Sequence, residues 1–211
     1  MTGVQTCALP ISYLRCIPNM AIACPSDENE CRALLSVAHA QDIPVAVRYP
    51  RGTGPGAPIQ MALPDVAQAR ADIGKARLCR QGRETLMLAF GPLLAPAMKV
   101  AEELDATVID MRWVKPLDED LLLPMAREHT RVVVLEEGAV QGGAATAVMQ
   151  CLHEHRILRD VLALGIGDVF TEHGDPALLL AEQGLDAPGI RASIERHWPE
   201  GVRALGVRRV S

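Results

Sequence analysis

Short apolar segments alternate with amphipathic helical segments between residues 85 and 164, and this alternation constrains the possible folds more than any other feature of the chain. Strands are predicted at 85–90, 106–110, 131–136 and 161–164, with helices between them. Strands joined through helices pair in parallel, and helices then cover both faces of the sheet. We therefore expect an α/β domain with a mostly parallel sheet. Segments 75–80 and 85–90, linked by a Gln-Gly-Arg turn, are predicted to form a hairpin that adds an antiparallel strand.

A second α/β unit precedes this domain. The apolar run at 20–23, a helix that begins after Ser26 or Asp27, and a strand at 45–49 form a βαβ pattern, whose two strands should be parallel. Either residue can cap the helix, and Asp27 with Glu30 has the spacing of a capping box. A lone βαβ unit cannot close a core, so we expect this one to be the truncated end of a domain.

A linker and a strand end lie between the two units. Residues 50–64 contain four prolines and three glycines, a composition typical of a connector. Just before it, the strand at 45–49 runs into Pro50-Arg51-Gly52. Ligands bind at the carboxyl ends of strands in open α/β sheets, and a guanidinium there can bind a phosphate or carboxylate through two hydrogen bonds. Arg51 is therefore the candidate ligand-binding residue, and the alternative is that it forms an ion pair between the domains.

Two other polar motifs are better explained by structure than by chemistry. Residues 136–138 followed by Gly142-Gly143 could hold a phosphate at a helix N-terminus, but two carboxylates in front of the loop would repel it and no known phosphate-loop spacing is met. Residues 172–175 could form an acid/base pair, but Asp175 before Pro176 is typical of a helix start. We find no nucleophile elbow and no paired catalytic carboxylates.

No metal site is predicted. The six cysteines have no C-x-x-C pair and no regular spacing, which indicates reduced, buried thiols in a cytoplasmic protein. His153 and His155 lie on one predicted helix, and residues two apart do not share a helix face, so we interpret both as surface histidines.

Charge and hydropathy exclude two classes of partner. The net charge is −5 and the chain has no block of lysine and arginine, so nucleic-acid binding is not expected. No apolar run reaches the roughly 18 residues that a membrane span needs. We expect a protein without a nucleic-acid partner or a membrane anchor.

Several long motifs resemble one enzyme family. They are residues 12–20, 25–31 and 47–52, then 110–118, and finally Glu136-Glu137 with 142–144. In this order they are similar to the 1-deoxy-D-xylulose-5-phosphate synthase family of transketolase-like thiamine-diphosphate enzymes, and the likeness runs from Ser12 to Trp198. The resemblance implies a partial pyrimidine-binding-type βαβ unit followed by a complete transketolase C-terminal-like domain.

The resemblance also implies a reaction and a role for Arg51. The intact enzymes use thiamine diphosphate and Mg²⁺ to condense pyruvate with glyceraldehyde 3-phosphate, releasing carbon dioxide, in the first step of non-mevalonate isoprenoid synthesis, and they are expected to be homodimers. The arginine of the Tyr-Pro-Arg-Gly motif, here Arg51, contacts the phosphate of the acceptor. The family's catalytic and cofactor-binding motifs match nothing in this chain. We therefore expect the 211-residue chain to bind neither cofactor nor metal and to be inactive alone.

The expected domain boundaries follow from these patterns. Residues 1–11 resemble a translated sequencing adaptor and not natural protein, 12–52 end the pyrimidine-binding domain, 53–66 are the linker, 67–205 form the C-terminal domain and 206–211 are a tail. Two alternatives remain open. The chain could derive from a transketolase or from the β subunit of a 2-oxo-acid dehydrogenase, or it could be a stand-alone, non-catalytic assembly module.

Overall fold

The computed structural model describes residues 10–50, 54–58, 60, 62–63, 65–170 and 173–199. The helices of this part of the chain are α1 (Pro10–Leu14), α2 (Glu28–His39), α3 (Val66–Ala71), α4 (Leu94–Leu104), α5 (Glu119–Glu128), α6 (Ala144–Glu154), α7 (Pro176–Glu182) and α8 (Ala187–His197). Its strands are β1 (Ala21–Ala23), β2 (Val45–Val47), β3 (Arg77–Arg80), β4 (Thr85–Phe90), β5 (Thr107–Asp110), β6 (Trp113–Lys115), β7 (Arg131–Ala139) and β8 (Asp160–Ile166). None of the described helices is long and apolar enough to cross a membrane.

The larger sheet has five strands in the order β3-β5-β4-β7-β8. Strands β5, β4, β7 and β8 are parallel to one another, and in this sheet only the edge strand β3 is antiparallel, to β5. Alternate side chains of β4 enter different cores: Leu86 and Leu88 pack in the core that includes α5 and α6, and Met87 and Ala89 in the core that includes α4 and α8. The prediction of a mostly parallel sheet with helices on both faces is therefore confirmed.

The predicted hairpin of β3 and β4 is wrong, because β5 lies between these two strands. All six residues of β4 are buried, whereas β3 is exposed or half-buried. A strand buried on both faces is typical of the centre of a parallel sheet, and a partly polar strand is typical of an edge. The connection supports this arrangement, since Gly82 N–H donates to Thr107 Oγ1 at 3.0 Å and Arg83 N–H donates to the carbonyl of Asp105.

The smaller sheet joins the two parts of the chain. Its order is β2-β1-β6, with β1 parallel to β2, as predicted, and antiparallel to β6. Strand β6 was not predicted, and it supplies the neighbour that the βαβ unit needed. Trp113 of β6 is fully buried and packs in one core with Leu34 and Val37 of α2. The early unit, which remains a partial domain, thus gains a third strand from a segment that lies about 90 residues later in the sequence.

The predicted caps of α2 and α7 are confirmed, but the predicted capping box is not formed. Asp27 caps α2 by accepting from Glu30 N–H at 2.8 Å, and Asp175 caps α7 by accepting from Ala177 N–H at 2.9 Å. The capping box itself is absent, because the Glu30 carboxylate pairs with Arg112 instead of returning to the start of the helix. The short helix α3, within and just after the predicted linker, was not predicted.

The cysteine prediction is confirmed in part. The five cysteines within the described residues are all free thiols. Cys24 and Cys151 are buried, Cys31 and Cys79 are half-buried, and Cys16 is exposed, so burial does not extend to all of them. The free thiols of these five cysteines agree with the prediction of reduced cysteines.

The tight contact at Gly82 gives a test of the corrected topology. A Cβ at Gly82 would lie 2.3 Å from the carbonyl oxygen of Asp105, whereas one at Gly167 would meet no atom within 4 Å. We expect Gly82→Ala to lower the free energy of unfolding by about 1–3 kcal/mol, as overpacked sites do. The control Gly167→Ala should change it little. Urea denaturation measures both, and equal midpoints for the two variants would contradict the close packing of this segment on β5.

Candidate functional site

A cavity of about 440 Å³ lies beyond the carboxyl ends of β1 and β2. One wall is the start of α2, from Pro25 to Leu35, and the other is the chain that follows β2, including Tyr49, Pro50 and Gly54. This is the edge of an open α/β sheet at which ligands bind. The cavity is therefore the candidate functional site.

The chain that forms the second wall is held against α2 by hydrogen bonds. Glu28 accepts from Gly56 N–H at 2.8 Å, and hydrogen bonds from its own backbone N–H and from that of Gly56 lower the pKa of this carboxyl. Asn29 donates to the carbonyl of Pro58 at 2.6 Å and accepts from Gln60 N–H at 3.0 Å. The described part of the predicted linker is thus fixed along α2 and does not act as a free connector.

Behind the first wall lies a buried carboxylate, Asp110, at the end of β5. Its side chain is fully buried, and its Oδ2 accepts from Ser26 Oγ and from Arg77 Nη2, both at 3.0 Å. The backbone N–H of Arg112 donates to its other oxygen at 3.3 Å. Because Ser26 also lines the cavity, Asp110 connects the cavity wall to the larger sheet.

Glu30 extends this group of charges. Its carboxylate accepts from Arg112 Nε at 2.7 Å and lies 3.5 Å from Arg77 Nη1. The group therefore has two carboxylates, Glu30 and Asp110, and two guanidiniums, and we refer to these four residues with Ser26 as the Asp110 cluster. Buried charges are tolerated when they are paired in this way, and removal of one partner is strongly destabilising.

Burial changes the protonation of Asp110. Loss of solvation, together with the negative charge of Glu30, raises the pKa of this carboxyl from 3.8 to about 6, even though Arg77 opposes both effects. The carboxyl therefore changes charge in a pH range in which most aspartates are already ionised.

Arg48 forms an ion pair between the two parts of the chain. An ion pair of this kind was the alternative interpretation for Arg51. Its Nη1 lies 2.8 Å from Glu137 Oε2, its Nη2 donates to the carbonyl of Glu137 at 2.7 Å, and the arginine side chain is only 9% exposed. This contact connects the end of β2 with β7. Arg51 itself lies outside the described residues, so its role stays a prediction. The residues on either side of it, Pro50 and Gly54, line the cavity.

The glycine-rich loop at 142–143 is filled by the protein itself. Glu136 is buried and its carboxylate accepts from Ala144 N–H at 2.8 Å and from Ala145 N–H at 2.9 Å. Burial raises the pKa of this carboxyl, and the two backbone hydrogen bonds oppose that rise. A carboxylate already occupies the place that a phosphate would take at this helix N-terminus, so the structural interpretation of the loop is confirmed.

His129 also has a structural role. Its Nδ1–H donates to the carbonyl of Met125 at 2.7 Å, and its Nε2 lies 2.7 Å from Thr107 Oγ1. Since Thr107 Oγ1 also accepts from Gly82 N–H, its own proton can go to the histidine. Every polar atom of the ring is used, which leaves no group for catalysis.

Sequence reasoning missed the Asp110 cluster. Asp110 and Arg112 belong to the motif at 110–118, which was compared with the enzyme family as one unit and not residue by residue. Ser26 and Glu30 were considered only as residues at the start of a helix. One signal was present: Asp110 is a charged residue at the carboxyl end of an otherwise apolar strand, the position at which polar residues meet a ligand or a neighbouring unit.

Comparison with known families agrees with this architecture. Residues 74–190, more than half of the chain, match the family model of the transketolase C-terminal domain. Residues 5–56 match the transketolase pyrimidine-binding domain. The α/β fold is that of a transketolase-type protein, and the chain belongs to the transketolase C-terminal domain family.

Individual relatives define the resemblance more narrowly. The chain is 54% identical over 191 residues to 1-deoxy-D-xylulose-5-phosphate synthase of Albidiferax ferrireducens, covering 90% of this chain and 29% of the relative. It is 55% identical to the enzyme of the same name from Acidovorax ebreus, covering 90% of this chain and 30% of that protein. It is 51% identical to the one from Neisseria gonorrhoeae, covering 90% of this chain and 29% of that protein. The chain thus spans about three tenths of the length of these relatives.

A solved structure confirms the fold independently. A split-gene transketolase, described as an inactive β4 tetramer, superposes with a TM-score of 0.76 at 28% identity, covering 90% of this chain and 60% of the other. The two matched segments of this chain therefore have the arrangement of a known transketolase-type structure.

The raised pKa of Asp110 predicts an unusual dependence of stability on pH. The folded chain binds the proton of the Asp110 carboxyl more tightly than the unfolded chain does. This difference stabilises the folded chain fully below pH 3.8, and the stabilisation is lost as pH rises through about 6. Asp110→Asn removes this titration. The free energy of unfolding of the wild type, relative to Asp110→Asn, should fall by up to about 3 kcal/mol between pH 4 and pH 7. Urea denaturation across this range tests it, and a difference that is constant with pH would contradict it.

The ion pair between Arg48 and Glu137 predicts non-additive stability. Arg48→Met leaves the Glu137 carboxylate buried without its cation and should cost about 3–5 kcal/mol of unfolding free energy. Arg48→Met combined with Glu137→Met should cost clearly less than the two single changes added together. Equal costs for the double variant and the sum of the single variants would show that the pair is not coupled.

Proposed function

We propose that this chain forms part of a 1-deoxy-D-xylulose-5-phosphate synthase, which joins the two-carbon unit left when pyruvate loses carbon dioxide to glyceraldehyde 3-phosphate. One observation carries the proposal. The cavity is lined by two motifs that the sequence shares with this family, residues 25–31 at the start of α2 and residues 47–52 after β2. Both motifs meet at one cavity, and a cavity with convergent polar groups is the expected place for a ligand.

Arg51 is proposed to bind the phosphate of glyceraldehyde 3-phosphate. The neighbouring Tyr49, Pro50 and Gly54 line the cavity, and Arg32 lies in the opposite wall. The carboxylates of Asp27 and Glu28 face the same space, but Asp27 accepts from Glu30 N–H and Glu28 from Gly56 N–H. The backbone hydrogen bonds offset part of the negative charge of these two acids, and the guanidinium of Arg51 supplies the attraction for a dianion.

Thiamine diphosphate does not fit the residues described in this chain. The helix N-terminus that could hold a diphosphate is filled by Glu136, and Mg²⁺ prefers a set of oxygen ligands that the described residues do not bring together around a cavity. We therefore propose that the cofactor and Mg²⁺ bind to other parts of the protein, that the 211-residue chain alone has no synthase activity, and that the intact enzyme is a cytoplasmic homodimer.

A chimera tests this assignment directly. Residues 12–198 of this chain would replace the matching region of the Albidiferax ferrireducens relative, to which the chain is 54% identical. We expect the chimera to form 1-deoxy-D-xylulose 5-phosphate from pyruvate and glyceraldehyde 3-phosphate. A folded, dimeric chimera without turnover would contradict the proposal and would favour the non-catalytic assembly module.

The role of Arg51 is tested in the same chimera. A charged hydrogen bond contributes about 1.5–3 kcal/mol, so Arg51→Ala should raise the KM for glyceraldehyde 3-phosphate by about 10- to 100-fold. The KM for pyruvate should stay within about twofold, and Arg51→Lys should restore part of the loss because it keeps the charge but not the bidentate geometry.

Arg127→Ala is the matched control, since this arginine is exposed on α5, far from the cavity in sequence. It should leave both KM values unchanged. If Arg51→Ala raises the KM for both substrates equally, Arg51 has a structural role and does not bind the phosphate.

A further inference from the structure

A second group of reactive side chains lies outside the cavity, where α5 and α6 meet. The carboxylate of Glu119, the thiol of Cys151 and the imidazole of His155 bring one ligand atom each within 4.8 Å of one another. Glu119 is the first residue of α5, and the other two lie on α6 and just after it. The three groups come from segments more than 30 residues apart, so the fold and not the local sequence assembles them.

Cys151 and His155 are four residues apart, the spacing that places two side chains on the same helix face. The Nδ1–H of His155 donates to the carbonyl of Cys151 at 3.0 Å. This hydrogen bond leaves Nε2 as the lone-pair nitrogen, and Nε2 points toward Glu119, whose Oε2 is 3.4 Å away. A backbone carbonyl that fixes the ring in this way is the usual second partner of a histidine that binds a metal.

The thiol of Cys151 lacks a polar partner. The residue is only 6% exposed, and no hydrogen bond to its sulfur is formed by the described residues. Its sulfur nevertheless lies beside the imidazole and the carboxylate and not only among apolar side chains. Glu154 adds a second negative charge close to the sulfur. A nearly buried soft donor in a negative environment is suited to a cation.

We propose that Glu119, Cys151 and His155 bind a zinc ion that joins α5 to α6. Sulfur, imidazole nitrogen and carboxylate oxygen are the three ligand types that zinc takes in proteins, and water completes a tetrahedral site. With zinc bonds of about 2.0 Å to nitrogen and oxygen and about 2.3 Å to sulfur, the ligand atoms would lie roughly 3.3–3.5 Å apart. The contact of 3.4 Å between His155 and Glu119 already has this spacing.

The sequence pattern pointed away from this site because it paired the wrong residues. His153 and His155 were compared with each other, and residues two apart do not share a helix face. The relevant partner of His155 is Cys151, and the third ligand is on another helix. The interpretation of His155 as a surface histidine without a ligand is therefore replaced by a zinc-binding role in this proposal.

Cobalt titration of the full 211-residue chain tests the site. Under reducing, oxygen-free conditions, Co²⁺ should produce a thiolate-to-cobalt charge-transfer absorption with a stoichiometry of one, and Zn²⁺ should displace it while Mg²⁺ should not. Cys151→Ser should abolish this absorption. His155→Ala and Glu119→Gln should each weaken cobalt binding by at least about tenfold, because even the loss of a partner that only orients a ligand has an effect of this size.

Matched variants separate this site from other thiols. Cys79→Ser and His153→Ala should bind cobalt as the wild type does. Glu119 is exposed, so Glu119→Gln remains informative if Cys151→Ser does not fold. Zinc should also raise the melting temperature of the wild type and not that of Glu119→Gln. Absence of the absorption in the folded wild type, its survival in Cys151→Ser, or its loss in Cys79→Ser would each overturn the proposal.

Discussion

The pairing of β1 with β6, together with the buried carboxylate of Asp110, is the constraint on which the rest of the structure depends. The early βαβ unit has only two strands of its own, and β6 adds the third. Next to this sheet, Asp110 binds Ser26 of the early unit and Arg77 of the later one, and Glu30 pairs with Arg112. Two segments that match separate domain families therefore share one sheet and one group of buried charges.

This connection positions the cavity. Ser26 belongs both to the Asp110 cluster and to the cavity wall, and the ion pair of Arg48 with Glu137 holds the end of β2 from the other side. The chain beyond β2 is then held on α2 by Glu28 and Asn29. A ligand that enters the cavity thus meets walls whose positions are set by contacts with the larger domain. Preorganisation of this kind lowers the entropic cost of binding.

The sequence predicted the periodic parts of the fold and missed its long-range pairings. Apart from β6, the strands and helices between 85 and 166 follow from hydrophobic spacing, which is a local property. The place of β5 between β3 and β4 depends on which strand is buried on both faces, and the three residues of β6 are too few to show a period. At the site, the Asp27 cap was predictable from local chemistry. The partners of Asp110 and Arg48 were not, because they come from residues 33 to 89 positions away.

The central claim, that the two matched segments form one cooperative structure, is tested most directly by native-state hydrogen exchange of the 211-residue chain. If β1 and β6 are held by the shared sheet and the Asp110 cluster, the amides of Ile22, Cys24 and Trp113 should exchange only through the same opening as those of the central strands β4 and β7. Rapid exchange of β1 and α2 while β4 and β7 stay protected would show that the early unit opens independently, and it would contradict the account.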